Sequence, residues 1–316
     1  MLIELLIVLA AIILILLAIS WSVLFINRRA IPPPYNFVES NGARLHYFEK
    51  GNGPPVVFVH GSNGSLQDFK LSVMDPLSKD FRTVAFDRPG HGHSERGHSI
   101  EGGRSVHGAI IVEAWKKLGI ERPVLVGHSS AGAVLMDIAV RRPEEVGAIV
   151  LISGVVHSGG LEEVPVMGLY RTISRKYIGT ALLWTLLIPL AGLIGRFLLK
   201  FTFSPDAVPK DYKRIGLALA LRPKCLRAEG EDLVCIAPTL EAVEGGYGQV
   251  KVPLVIVCGS KDGNVPPEGQ SVQLSKEVPS SVLIAVPETG HMAMFTKPHE
   301  VIEAIKQAAQ LSMRAK

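Results

Sequence analysis

The sequence predicts an α/β protein in which a mostly parallel, doubly wound sheet carries a helical cap insertion and follows one transmembrane helix. Three observations support this fold class. The N-terminus is almost wholly apolar, short β-branched segments alternate with helix-length segments after residue 35, and the alternation stops between residues 154 and 251. The mean hydropathy of +0.29 is high for a soluble enzyme with 20% charged residues. Part of the apolar content must therefore lie outside an ordinary core.

The apolar N-terminus has the length of a membrane span. Leu5–Ile26 carries no charge, and at about 1.5 Å per residue it extends roughly 33 Å, enough to cross a hydrocarbon core of about 30 Å. Trp21, Arg28 and Arg29 suit an interfacial end. We predict a membrane anchor over residues 1–27, with the rest of the chain in the cytoplasm because the positive charges follow the span.

A cleaved signal peptide is the alternative interpretation of this segment. Ala18-Ile19-Ser20 fits a cleavage pattern, but the early charge is Glu4 rather than a basic residue, and the apolar run exceeds a usual signal-peptide core. Residues 28–35 contain three consecutive prolines and are predicted to be a short, stiff linker.

After the linker, alternation of strands and helices is typical of βαβ units, whose parallel sheet is covered on both faces. The predicted strands are Val56–Val59, Thr83–Phe86, Val124–Val126, Ala148–Ile152, Leu254–Cys258 and Val282–Val286, with an added edge strand around Arg44–Lys50. The predicted helices are Val106–Leu118, Ala131–Arg141, Glu268–Glu277 and a last one from Glu300 onward. The core therefore comprises residues 36–153 and 252–316, and residues 154–251, which lack a clear strand, form a helical cap or lid.

Residues 123–132, PVLVGHSSAG, predict a strand that turns sharply into a helix. Small residues two positions either side of a serine permit the tight turn of a nucleophile elbow, which exposes the hydroxyl. Gly127 and Ala131 flank Ser129 in this way, whereas centring the turn on the next serine would put a histidine at a crowded position. Ser129 is the predicted nucleophile and the Ser130 N–H an oxyanion donor. The alternative is an ordinary helix start capped by a serine.

Three further segments supply the groups that a serine nucleophile needs, each after a predicted strand. A His-Gly-Ser turn follows the strand that ends at residue 59, and its Ser62 N–H is the predicted second oxyanion donor. An acid, Asp262, and a histidine, His291, follow the last two strands. The chain order is therefore Ser129, Asp262, His291.

With these motifs the chain resembles the α/β-hydrolase family over roughly residues 36–309, interrupted by the cap. The segment DRPGHGHS at residues 87–94 is similar to that family's structural turn after its fourth strand. The resemblance implies a hydrolase with Ser129, Asp262 and His291 as catalytic residues. In such an enzyme the histidine takes the serine proton, the aspartate orients the imidazole, and two peptide N–H groups stabilise the oxyanion of an acyl-transfer reaction.

Other titratable residues near these motifs receive structural interpretations. Glu288 stands three residues before His291, which makes it a less suitable partner for that imidazole than Asp262. His60 and His128 lie beside glycines and are expected to pack and hydrogen-bond the turns rather than carry protons.

A metal site is the alternative for one histidine cluster. His91, His93 and His98 surround Glu95, but a metallo-hydrolase would need further spaced ligands and the complete serine motifs make a metal redundant. No metal and no cofactor is expected.

The cap indicates the class of substrate. Tyr177–Gly195 is a second uncharged stretch, but a membrane span here would leave Ser129 across the bilayer from Asp262 and His291. It is therefore predicted to be a lid element whose apolar face lines an acyl pocket or touches lipid, or which packs on the core. Residues 154–227 contain 11 Lys and Arg against 4 Asp and Glu, which favours a substrate near anionic lipid.

Together these features predict a membrane-anchored serine hydrolase that cleaves small-molecule or lipid esters with apolar acyl groups. Alternatives are the same three residues acting on an amide, peptide or C–C bond, and a non-catalytic membrane receptor on a hydrolase fold. An epoxide hydrolase or dehalogenase would need an aspartate in place of Ser129.

Composition excludes other classes of protein. The net charge of +4 is too balanced for nucleic acid to be the main partner. The three cysteines, Cys225, Cys235 and Cys258, are too few for a disulfide scaffold and lack zinc-site spacing. The alternative for them is a single Cys225–Cys235 disulfide.

Overall fold

The computed structural model describes residues 1–97, 107–161 and 167–314. Within them, eight strands form one sheet. The strands are β1 (Asn36–Ser40), β2 (Ala43–Lys50), β3 (Pro55–Val59), β4 (Arg82–Phe86), β5 (Val124–His128), β6 (Ala148–Ile152), β7 (Leu254–Gly259) and β8 (Val282–Val286). Their order across the sheet is β1-β2-β4-β3-β5-β6-β7-β8. β2 pairs antiparallel with β1 and β4, and all other neighbours are parallel.

Helices cover the sheet and build the cap. The helices are α1 (Leu2–Arg28), α2 (Gln67–Lys70), α3 (Met74–Leu77), α4 (Gly108–Lys117), α5 (Ala131–Arg141), α6 (Met167–Ile173), α7 (Lys176–Leu182), α8 (Ile188–Phe203), α9 (Lys210–Ala220), α10 (Pro223–Glu241), α11 (Gln273–Glu277), α12 (Ala293–Thr296) and α13 (Pro298–Arg314). Short 3₁₀ helices span Pro143–Glu145 and Glu244–Gln249, and π-helical turns span Leu183–Leu187 and Glu268–Val272.

The predicted α/β fold class is confirmed, and each predicted strand is present to within two residues. β1 was not predicted, because only Phe37 and Val38 of its five residues are apolar and its burial does not alternate along the strand. The predicted helix at Glu268–Glu277 begins as a π-helical turn and becomes α-helical at Gln273. The predicted start of α4 at Val106 lies outside the described residues.

Two apolar layers sandwich the sheet because successive side chains of a strand point to opposite faces. In β3, Val57 and Val59 join the layer that contains Trp115, whereas Val56 and Phe58 join the layer that contains α13. The central strands are buried on both faces, which explains why they read as continuous apolar runs rather than as alternating ones.

The cap helices α6–α10 all lie between β6 and β7 in the chain, within the predicted 154–251 segment. α10 packs on α6 within the cap and on α5 of the core. In the described part of the chain, none of the three cysteines forms a disulfide.

α1 is the one helix of the described residues that is by itself long and apolar enough to cross a membrane. Its last turns contact the cap: Ser20 Oγ donates a hydrogen bond of 2.5 Å to the carbonyl of Trp184, and the ring centroids of Trp21 and Trp184 are 5.9 Å apart.

The proline-rich residues after α1 lie against the core. The Pro32 carbonyl accepts a hydrogen bond of 2.9 Å from His93 Nε2, and the Tyr35 N–H donates one of 2.8 Å to His46 Nε2. The connection between α1 and β1 is therefore held by two side chains of the core.

Candidate active site

The carboxyl ends of the parallel strands bring the predicted site residues to one edge of the sheet. Ser129 follows β5, Asp262 follows β7 and His291 follows β8. Ser62 lies in the turn after β3, and Ser130 is the residue immediately before α5. Ligands of open parallel sheets bind at this edge, so the topology alone makes it the candidate site.

The backbone at Ser129 is held in the left-handed region, with φ of +54°. Its N–H donates to the Ile152 carbonyl at 3.0 Å, and its carbonyl accepts from the N–H groups of Gly132 and Val155 at 2.9 Å each. A Cβ at Gly127 would lie 2.6 Å from a methyl of the buried core, so the small residue predicted there is required. The side chain is 8% exposed. This is the geometry of a nucleophile elbow rather than of an ordinary capped helix start.

The turn after β3 lies against this elbow. A Cβ on Gly61 would be 2.8 Å from Ser129 Cβ and 2.9 Å from the His128 carbonyl, so a side chain here would force the two turns apart. In the described part of the chain, the N–H groups of Ser62 and Ser130 have no protein acceptor. Two unpaired N–H groups on adjoining turns are suited to an oxyanion.

His291 and Asp262 form a buried hydrogen-bonded pair. His291 Nδ1 lies 2.8 Å from Asp262 Oδ2, and Asp262 Oδ1 accepts the N–H groups of Asn264 and Val265 at 2.9 Å each. Burial works to raise the pKa of the Asp262 carboxyl, but the hydrogen bonds from His291 and Val265 outweigh it and hold the pKa below its usual value. An ionised aspartate requires Nδ1 of the imidazole to carry a proton, which leaves Nε2 as the basic atom.

Glu288, the alternative acid, lies away from this pair. Its side chain is exposed, and its carboxylate is 3.6 Å from Lys261 Nζ. The structure therefore gives the imidazole one carboxylate partner, Asp262.

The ring of His128 forms a hydrogen bond with the backbone carbonyl of the candidate base, His291. His128 Nε2 is 3.0 Å from the carbonyl of His291, and the two ring centroids are 4.5 Å apart. Burial, together with the charge of His291, lowers the pKa of His128 to about 3. The neutral ring donates its Nε2–H to the carbonyl, which fixes the loop that carries His291.

His60 joins two loops beside the site. His60 Nε2 accepts the N–H of Arg88 at 2.9 Å, and Nδ1 donates to the Gly61 carbonyl at 2.8 Å. Burial, together with the nearby positive charge of Arg88, lowers the pKa of His60 well below its usual value. His60 therefore hydrogen-bonds its own turn at Gly61, whereas His128 hydrogen-bonds the neighbouring loop that carries His291.

A buried ionic cluster that the sequence did not reveal ties the cap to the core. Arg88 Nη1 lies 2.9 Å from Asp232 Oδ2 on α10, and Arg88 Nη2 donates to the Gly61 carbonyl at 3.3 Å. His91 Nε2 and Arg96 also hydrogen-bond Asp232. Burial works to raise the pKa of the Asp232 carboxyl, but the surrounding histidine and arginine groups outweigh burial and hold it well below its usual value.

A second carboxylate of α10 reaches the turn after β3. Glu229 Oε2 accepts the N–H of Asn63 at 2.9 Å, and the side chain is fully buried. No sequence pattern signalled these contacts, because α10 lies at least 130 residues away from the loops with which it forms hydrogen bonds.

The histidines of the possible metal cluster have separate partners. His91 bonds Asp232, and His93 bonds the Pro32 carbonyl. His98 lies outside the described residues. Within the described residues, no group of three or more His, Cys, Asp or Glu side chains is arranged to hold a metal ion.

Comparison with known proteins gives a family and several relatives. The family model for the alpha/beta hydrolase fold matches residues 54–298. Haloalkane dehalogenase 2 of Mycobacterium tuberculosis is 27% identical over 278 residues, which cover 84% of this chain and 92% of that protein.

Solved structures share the fold. An enol-lactonase from Burkholderia xenovorans superposes with a TM-score of 0.70 at 19% identity, over 87% of this chain and all of that one. A membrane phospholipase A superposes with a TM-score of 0.66 at 19% identity, over 98% of this chain and 97% of that one.

Proposed function

The chain belongs to the alpha/beta hydrolase fold family and is a hydrolase, and on that premise we propose that it is a membrane-anchored serine hydrolase of carboxylic esters with apolar acyl groups. One observation carries the proposal: Ser129 occupies a left-handed elbow at the sheet edge where a buried Asp262–His291 pair also lies. Nucleophile, base and orienting acid are the three groups that acyl transfer to a serine requires.

The proposed reaction runs through an acyl-enzyme. His291 Nε2 takes the proton of Ser129 as its oxygen attacks the ester carbonyl, and Asp262 stabilises the imidazolium that forms. The N–H groups of Ser62 and Ser130 stabilise the tetrahedral oxyanion; losing one such donor typically costs about 3 kcal/mol. The alcohol leaves with the proton from His291. Water, deprotonated by the same histidine, then releases the carboxylic acid and restores the serine.

Ester substrates are favoured over alkyl halides. The dehalogenase relative is named for another reaction, and by the family resemblance such enzymes use an aspartate where this chain has Ser129. The enol-lactonase with the same fold is named for a cyclic ester. A serine nucleophile with a histidine base therefore points to carbonyl chemistry.

Membrane anchoring is proposed from α1. The match to the membrane phospholipase A covers 98% of this chain, so the matched part includes most of α1. The cap supports an apolar, lipid-like acyl group, because it combines large exposed apolar side chains with 11 basic against 4 acidic residues over residues 154–227. Arg28 and Arg29 at the C-terminal end of α1 favour a catalytic domain on the cytoplasmic side. We propose the domain boundaries 1–27 for the anchor, 28–35 for the linker and 154–251 for the cap.

Fluorophosphonate labelling tests the nucleophile. The full-length protein in detergent should be labelled at Ser129, and Ser129→Ala should lose the label. Ser130→Ala, which keeps the peptide N–H, should still be labelled, and mass spectrometry of the labelled peptide separates the two adjacent serines. A label that survives Ser129→Ala contradicts the assignment. A panel of esters graded by acyl length then tests the apolar acyl group.

A further inference from the structure

The cap presents a large exposed apolar surface beside α1. We call Lys176–Phe203, which comprises α7, the π-helical turn and α8, the cap apex. The Tyr177 side chain is 82% exposed and that of Phe197 is 71% exposed. Six further large apolar side chains of this segment are exposed: Ile178, Leu186, Leu190, Ile194, Leu198 and Phe201. Eight large exposed apolar side chains on one segment are more than scattered surface residues, and apolar surfaces of this kind mark contacts with protein or membrane.

The contact between α1 and the cap apex identifies the occupant as the bilayer. Ser20 is buried, and Val23 and Leu24 pack with Leu183 and Ile188 of the cap apex. The cap apex therefore lies directly alongside the last two turns of the helix proposed as the anchor. The two apolar surfaces are continuous, so lipid that surrounds α1 also reaches the cap apex.

The length of α1 sets the depth of this contact. Only Leu5–Ile19 of the uncharged run precedes the contact with the cap. At about 1.5 Å per residue these residues extend roughly 22 Å, which is less than a hydrocarbon core of about 30 Å. The remaining length of a membrane span must therefore be supplied by the part of α1 that the cap apex contacts.

We propose that the cap apex is inserted into the bilayer beside α1 and reaches below the hydrocarbon boundary. The inference rests on the membrane anchoring proposed above. It adds that the cap is itself a membrane-binding element with a lipid bilayer as its partner.

The charges of the cap apex fit this insertion. Its uncharged part, Tyr177–Gly195, is bounded by Lys176 on one side and by Arg196 on the other. The helical path bends by 70° between Ala191 and Ile194, and Lys200 is the one further charged residue of the cap apex after Arg196. Basic residues on both sides of the uncharged part suit the lipid phosphates, since long basic side chains can extend to the interface.

The inserted segment is directly connected to the candidate site. α8 ends at Phe203, and the carbonyl of the next residue, Ser204, lies against Gly290. Gly290 precedes His291. The bilayer-facing helix thus rests on the loop that carries the candidate base, which places the site close to esters that partition into lipid.

Tryptophan quenching by brominated lipids tests the insertion. The chain has three tryptophans, of which Trp115 is buried in the core and serves as an internal reference. The full-length Trp21→Phe protein is placed in phosphatidylcholine vesicles with lipids brominated at carbons near the headgroup, and the Trp21→Phe/Trp184→Phe protein supplies the reference emission. The Trp184 emission should lose most of its intensity to brominated lipid and little to aqueous acrylamide. Quenching by acrylamide without quenching by brominated lipid overturns the inference.

A surface substitution gives a second, independent readout. Phe197→Asp should weaken quenching of Trp184 by brominated lipid. Met313→Asp, which adds the same charge at an exposed apolar position on α13, should leave quenching unchanged. Equal quenching in the two variants overturns the inference. Fluorophosphonate labelling of the same samples reports the proposed hydrolase separately, because labelling does not depend on how deep Trp184 lies.

Discussion

Ser129 holds a backbone conformation that a residue with a side chain rarely adopts, at an expense of about 1–3 kcal/mol. Its N–H and carbonyl make three hydrogen bonds to the ends of β6 and α5 and their neighbours, and these compensate the strain. The strain lies in the backbone of the residue whose hydroxyl is the proposed nucleophile, so it fits a role in the proposed reaction.

Gly61→Ala should separate catalysis from folding. The added Cβ would meet Ser129 Cβ at 2.8 Å and displace the turn that carries the Ser62 N–H. We expect kcat for a soluble ester to fall by roughly 10²-fold, the scale of a misplacement of about 1 Å. Gly159→Ala, where a Cβ would have no neighbour within 4 Å, is the matched control and should behave as the wild type. Equal kcat values for the two variants would contradict the role given to this turn.

Asp262→Asn should lower kcat by roughly 10⁴-fold, the scale seen when a triad aspartate becomes an amide. The amide no longer fixes the Nδ1–H tautomer or stabilises the imidazolium. Steady-state hydrolysis of a short-chain ester measures this. Glu288→Gln serves as the comparison because Glu288 is exposed and forms an ion pair with Lys261. This variant should retain the wild-type rate. The reverse result would make Glu288 the acid.

At this scale the sequence predicts residues that belong to short motifs. Ser129, Asp262 and His291 each follow a strand that is recognisable from its apolar run, so local pattern and chain order suffice. Arg88 and Asp232 could not be paired in advance, since 144 residues separate them and nothing in α10 marks which side faces the core. Whether the three motif residues are catalytic stays a prediction for the labelling experiment.

α10 is the element that joins the cap to the site. Through Asp232 it bonds Arg88, and through Glu229 it bonds the turn after β3, so one helix bonds both loops beside the oxyanion position. The strands were predictable because they are buried on both faces. The boundaries of α7 and α8 were not, because apolar segments with few charges carry no clear helical period.

Asp232→Asn should destabilise the protein strongly. The substitution removes the nearer carboxylate, at 2.9 Å, from the buried guanidinium of Arg88, which keeps only Glu229 at 3.6 Å. Breaking a buried ion pair costs about 3–5 kcal/mol. Urea unfolding in detergent measures the free energy of unfolding. Glu303→Gln removes a partner from the exposed Lys306–Glu303 pair and should cost less than about 1 kcal/mol. Similar losses for both variants would contradict the buried role of Asp232.

The molecule as a whole should lose stability on acidification below about pH 6.5. Burial lowers the pKa of His107 and His128 to about 3 and lowers that of His60. The unfolded chain takes up protons between about pH 6.5 and 3 where these folded histidines do not. As the pH is lowered, the free energy of unfolding therefore decreases by up to about 1.4 kcal/mol per pH unit for each of these histidines. Asp68 opposes this trend, because burial raises its pKa to about 7 and favours its neutral form in the folded state.

Urea unfolding between pH 7.5 and 5 checks the sign. The destabilising effect of three histidines exceeds the stabilising effect of one aspartate, so the urea concentration at the unfolding midpoint should decrease as the pH is lowered. His128→Gln should reduce the slope. A midpoint that rises on acidification would contradict the pKa directions on which this prediction rests. Below about pH 4, Asp262 and Asp232 add to the loss, since their pKa values are lowered in the folded state.

The fastening of the proline-rich connection has a mechanical consequence. Side chains of the core hold it at Pro32 and Tyr35, and the cap grips α1 at Ser20. α1 is therefore fixed to the rest of the protein at both ends of this connection and is not a flexible tether. In the proposed membrane-anchored enzyme, a bilayer whose thickness makes α1 tilt would therefore tilt the sheet and the cap with it. The angle between the edge that carries the candidate site and the lipid surface would then depend on membrane thickness.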